Sequence, residues 1–195
     1  ASDVYKRQEH HRHTQDPERD PELTNPAYAA WPQTPKQWLL AASGYGLILL
    51  KLIPLLGFAF KPRSAWTGFA PWSARVDDPA RLVFECRVFV LLWGSFLLVT
   101  ALAAPGGLWW WFAAWLTHSF QALWVMSEHT GLAHSGSILA RTRSVTSNPF
   151  VRFWLWNMNY HAEHHAWPAV PWHRLPDAHR QVAPHLESCV PGYVA

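Results

Sequence analysis

At 195 residues the chain is long enough for one domain, and 50% hydrophobic residues with 14 tryptophans make it too apolar and too aromatic for an average soluble fold. A net charge of +3 is modest, and Lys and Arg flank the apolar segments instead of forming one basic stripe, which favours anionic lipid headgroups over nucleic acid as neighbours. Two cysteines, Cys86 in an apolar run and Cys189 near the end, offer neither a disulfide framework nor a zinc knuckle.

The mean hydropathy of −0.08 conceals a partition, because polar stretches at 1–36 and 127–195 dilute a strongly apolar middle. No starting Met, signal peptide or apolar anchor opens the chain, and residues 1–8 resemble translated sequencing-adapter remnant, so the expectation is a chain truncated at its N-terminus behind a foreign leader. Glu9 to Thr14 carries His10, His11 and His13. The charged run Gln15 to Glu22 is broken by Pro17 and Pro21 and reads as a loop in water.

Three apolar stretches follow, at 38–60, 82–104 and 108–126. The second and third are roughly 28 to 35 Å long as helices, enough to cross a bilayer core of about 30 Å. Glu85 and Arg87 fall within the first turn or so of the second stretch, where they can pair or reach the interface. Arg63, Arg75 and Arg81 precede the pair, Arg141, Arg143 and Arg152 follow it, and the link Pro105-Gly106-Gly107 is uncharged, which makes a hairpin with both ends cytoplasmic.

The first stretch has Lys51 near its centre, at about 2.5 to 3.5 kcal/mol on insertion scales, and is interrupted by Gly44, Gly46, Pro54 and Gly57. If the histidines before and after the apolar middle share one site, the chain between them crosses an even number of times. Residues 38–60 are therefore expected to be interfacial or re-entrant, and residues 127–195 a cytoplasmic cap. The fold class is an all-α membrane protein, a transmembrane helical hairpin with interfacial helices and a histidine-rich cytoplasmic cap, in one domain over 1–195.

His118 lies at mid-membrane beside Gln121, and His129 follows eleven residues later, about 16 Å further along a continuous helix, too far for one shared metal. His118 reads as a hydrogen-bonded bundle histidine, His129 as a ligand just beyond the cytoplasmic end of the helix. Ser135 to Asn148 is a polar loop, and Phe150 to Tyr160 an aromatic belt suited to a membrane interface.

His161, His164 and His165 stand at i, i+3 and i+4, within roughly 100° of one another on a helix. That spacing suits a metal, a structural zinc site and a His-rich surface turn being the rival readings. A zinc-protease helix is excluded by order, since Glu163 does not directly follow His161. Pro168 and Pro171 end the helix, and Leu175 to Leu186 suits a short cytoplasmic one. Imidazole without thiolates or clustered carboxylates suits iron, copper or zinc. At a bilayer rim such a site makes sense for a lipid substrate, whose unactivated C–H bonds require a metal and O₂.

His161-x-x-His164-His165, with Trp156-Asn157-Met158-Asn159-Tyr160 before it and Trp167-Pro168-Ala169-Val170-Pro171-Trp172-His173-Arg174-Leu175-Pro176 after it, resembles the third histidine box of the membrane fatty acid desaturase family. His10-His11-Arg12-His13-Thr14 resembles the end of the second box, and Ser127-Glu128-His129 the place where the family often has a further ligand. The resemblance implies a di-iron, O₂-dependent desaturase that acts on a lipid acyl chain with electrons from a ferredoxin or cytochrome b5 type donor. It implies His10, His11, His129, His161, His164 and His165 as iron ligands, with Asn157 and Glu163 as outer residues that orient imidazoles. Arg7 stands where the pattern has a histidine and the first box is missing, so the chain by itself is expected to be incomplete and inactive. A lipid or carotenoid hydroxylase or ketolase of the same superfamily, and a non-catalytic metal-binding membrane protein, are the alternatives.

Overall fold

The computed structural model describes residues 2–23, 31–103 and 105–193. They are mainly helical: α1 (Ser2–His13), α2 (Pro35–Ala42), α3 (Tyr45–Phe60), α4 (Pro79–Ala103), α5 (Leu108–His129), α6 (Pro149–Trp154), α7 (His161–Ala166) and α8 (Leu175–Val182). The strands among them are a two-residue parallel pair, β1 (Ser144–Val145) and β2 (Cys189–Val190), in register Ser144 to Cys189 and Val145 to Val190. The chain divides into two compact units, Ala1–Arg12 with Pro32–Leu123, and His13–Trp31 with Trp124–Ala195.

In the first unit α2 begins with a reciprocal cap: the Gln37 N–H donates to Thr34 Oγ1 at 3.2 Å and the Thr34 N–H donates to Gln37 Oε1 at 3.0 Å. The helix stops at Ser43 because Gly44 is left-handed (φ +68°), and α3 leaves at a 50° bend. Gly44 is also a close approach, since a Cβ there would stand 2.7 Å from backbone atoms of His118 and Ser119. Of the four expected interruptions only Gly44 breaks the helix. Gly46 and Gly57 lie within α3, and so does Pro54, whose missing N–H forgoes one bond of the ladder. The Phe69 ring occupies the space beside Gly57.

The core of this unit gathers Phe58, Trp66, Trp72, Leu82 and Cys86. Phe58 stands edge-on to Trp66 and Trp72, with ring centroids 5.0 and 5.4 Å away, and burial of such a side chain contributes about 1.5 to 3 kcal/mol. Tyr5 of the opening segment packs against the same core. Glu9, buried on α1, pairs with Arg12 at 2.5 Å and with Arg75.

Helix α5 turns back along α4. The Trp111 ring meets Trp93 and Phe96 at centroid distances of 6.0 and 5.9 Å, and its indole N–H donates to Thr100 Oγ1 at 2.9 Å. By length and composition α4 is the one described helix able to cross a membrane alone; α2 and α3 pass the same test together, as a broken span or a re-entrant loop. The expected span 82–104 thus corresponds to α4, with residue 104 outside the described residues. Helix α5 covers 108–126, but its five tryptophans with His118 and Gln121 lower its hydropathy.

In the second unit the expected water-exposed loop after His13 proves partly buried: Thr14, Gln15 and Asp20 are each less than 5% exposed. Hydrogen bonding makes this affordable. The Gln15 N–H donates to Asp20 Oδ2 at 2.7 Å, and Gln15 Nε2 donates to the His129 carbonyl at 2.7 Å. Arg143 fastens the end of α5 by donating to the carbonyls of Ser127 (2.6 Å) and Thr130 (3.3 Å). Burial pulls its guanidinium below the usual pKa, although it remains a cation. Thr142, Ser144 and Val145, in a stretch expected as polar loop, are buried beside β2.

Candidate metal centre

The second unit brings three of the predicted histidines together. His161 and His165 are one turn apart on α7 and so share a face. His129 is the last residue of α5, where the Arg143 side chain donates to the Ser127 carbonyl, the Arg143 main-chain N–H to that of Glu128, and Gln15 to that of His129 itself. His161 Nε2 lies 2.8 Å from His129 Nε2. Ring centroids are 4.7 Å apart for His129 and His161, 5.1 Å for His129 and His165, and 4.5 Å for His161 and His165. The ligand-capable atoms of these three side chains all lie within 4.8 Å of one another, and all three residues are buried.

Each imidazole is also held from outside through Nδ1. His161 Nδ1 lies 3.2 Å from Glu128 Oε1, at ion-pair distance, and His129 Nδ1 donates to the Arg141 carbonyl at 3.3 Å. His165 Nδ1 bonds with Thr14 Oγ1 at 3.0 Å. A partner on Nδ1 selects the tautomer that leaves the Nε2 lone pair for a cation, and a carboxylate partner raises the basicity of that nitrogen. Glu128 is itself buried beside Tyr193, whose phenol is pushed above its ordinary pKa by burial and then by the Glu128 charge, and so stays neutral.

The residues fit a metal ion. With metal–nitrogen bonds of about 2.1 Å, Nε2 atoms 2.8 Å apart subtend about 85°, the angle between adjacent ligands in an octahedral shell. A nitrogen-rich set without thiolate suits iron, copper or zinc.

The other predicted residues are distributed as follows. His10 and His11 lie on α1 in the first unit, with His10 buried and their rings 5.8 Å apart. His164 is half-buried, its ring 6.1 Å from His161 and 5.7 Å from His165, turned about 100° around α7 from His165 and outside the group of three. His118 donates from Nδ1 to the Ala114 carbonyl at 2.7 Å. Lys51 Nζ donates to His118 Nε2 at 3.5 Å and to Gln121 Oε1 at 3.0 Å, a polar contact between α3 and α5 within the first unit. His118 is thus a hydrogen-bonded helix histidine on a continuous α5.

Asn157 takes a left-handed conformation (φ +57°) next to Trp156 (φ +52°), and its main chain closes the turn into Tyr160. Its side chain makes no hydrogen bond with a histidine among the described residues. Glu163 is fully buried and bonded to Ser144 and His179. Glu128, Thr14, Ser144 and His179 were not among the residues singled out from sequence. Glu128 and Thr14 had a local signal, an acid directly before a predicted ligand and a hydroxyl directly after a histidine cluster. Ser144 and His179 had none.

A family model described as fatty acid desaturase matches residues 4–194. No curated protein and no solved structure matches the chain.

Proposed function

The chain belongs to the fatty acid desaturase family, and we propose that it is an O₂-dependent di-iron enzyme that introduces a double bond into the acyl chain of a membrane lipid. The observation that carries this reading is the buried group of His129, His161 and His165, with Nε2 atoms turned inward and Nδ1 atoms held from outside. On this reading His10, His11, His129, His161, His164 and His165 are the ligands. Bound iron and O₂ supply the oxidant that an unactivated C–H bond requires and that side-chain acids and bases cannot provide. The protein's part is to hold neutral imidazoles in one tautomer, keep water from the centre and place the acyl chain beside it.

A membrane setting is supported by the outward faces of the apolar helices. Leu102, Trp109, Trp110 and Phe120 are all about 70% exposed or more, and only 11% of the apolar window of α4 is buried. The core helix of a soluble protein would be mostly buried. The arginines on either side of α4 and α5 favour the cytoplasmic face for the histidines, and the electrons come from a ferredoxin or cytochrome b5 type donor.

The test is expression of the chain, and of the full-length gene product, in cells with a compatible donor, followed by iron analysis of the purified protein and mass analysis of total fatty acids. Little or no product is expected from the chain by itself, whereas the full-length gene product is expected to carry about two irons and to give products two hydrogens lighter than their precursors. Products heavier by one oxygen would make it a hydroxylase, and one zinc or no metal would overturn the di-iron reading.

A further inference from the structure

Helix α7 carries two of the three clustered imidazoles, yet it is only six residues long, well below the roughly 12 to 15 at which an isolated helix becomes even marginal. Its orientation is imposed from outside. Tyr160, at the N-cap, provides no side-chain cap. Ser144 Oγ takes that role, accepting the Ala162 N–H at 3.1 Å while donating its own proton to Glu163 Oε2. The other oxygen, Glu163 Oε1, receives His179 Nδ1 from α8 at 2.5 Å. Stacking fixes the His179 ring in turn, since its centroid lies 4.6 Å from that of Tyr160 at a tilt of 34°.

Glu163 stands about 160° to 200° around the helix from His161 and His165, on the opposite side of α7. A turn of about 20° about the axis would move atoms at the outer radius of about 5 to 6 Å by about 2 Å, close to the length of a metal–nitrogen bond. Whatever holds the back of α7 therefore sets where the front imidazoles point. We infer that His179, acting through Glu163, is a positioning residue that fixes the rotation of α7 and hence the metal-binding geometry of His161 and His165. The inference rests on the reading of those imidazoles as metal ligands.

The test is a titration of the purified full chain and its variants with cobalt(II), read by visible ligand-field absorption, with helix content followed by circular dichroism. His179→Phe keeps an aromatic ring against Tyr160 but removes the donor to Glu163, and it is expected to weaken cobalt binding about 10- to 100-fold without loss of helix. His179→Asn restores an N–H near the Nδ1 position and is expected to bind within about threefold of the unmodified chain. Equal affinity in His179→Phe and the unmodified chain would overturn the inference and leave the metal centre standing. No cobalt uptake by the unmodified chain would overturn the metal centre, and the inference with it. Should His179→Phe lose helix, Ser144→Ala carries the same test from the other carboxylate oxygen, and unchanged affinity there would overturn the inference.

Discussion

Two buried glutamates stand differently towards the clustered imidazoles, Glu128 against His161 and Glu163 on the opposite side of α7. Glu128 precedes His129 in the chain but stands at ion-pair distance from His161, because consecutive residues on a helix point about 100° apart. Replacement of Glu128 by Ala leaves His161 without its carboxylate, and the metal dissociation constant is expected to rise about 10- to 100-fold. Equilibrium metal titration measures it, and an unchanged constant would remove Glu128 from the site. His161 and His165 were legible in the sequence because helical spacing alone puts i and i+4 on one face. Thr14 and His179 were not, since each meets its partner over a separation in chain, 151 residues for Thr14 and His165, that no local pattern encodes.

Among the elements, α2 and α3 show how one residue redirects an apolar run. Gly44 combines a left-handed backbone with contact against α5, and both exclude a side chain. Gly44→Ala is expected to lower stability by more than the roughly 1 to 2 kcal/mol of the backbone conformation alone, because the clash is with main-chain atoms. Gly94→Ala in α4 meets open space and is expected to be neutral or to stabilise the helix by about 0.5 to 1 kcal/mol. Thermal melts of both variants in detergent check the pair, and equal melting temperatures would refute the packing role of Gly44. The breaker residues in 38–60 announced a distorted helix, but propensity cannot rank them. The structure singles out the glycine at the close approach and carries Pro54 within a continuous helix.

At the scale of the whole molecule, the passage of residues 38–60 through or back out of the membrane is decided by which side their ends occupy. We expect a re-entrant path: single cysteines at Lys36 and at Lys61, in a chain whose Cys86 and Cys189 have been replaced, are both labelled from the same face of sealed vesicles. Labelling from opposite faces would make α2 and α3 one broken span. The sequence alone determined the helical class, the apolar runs and the histidine boxes, because periodicity, composition and short-range spacing are written along the chain. Only the tertiary structure decided that His129 joins His161 and His165, that the charged stretch after His13 is partly buried, and that Glu163 is held by Ser144 and His179. Those outcomes depend on contacts between distant segments, where a buried polar group must find a partner whose identity no local pattern specifies.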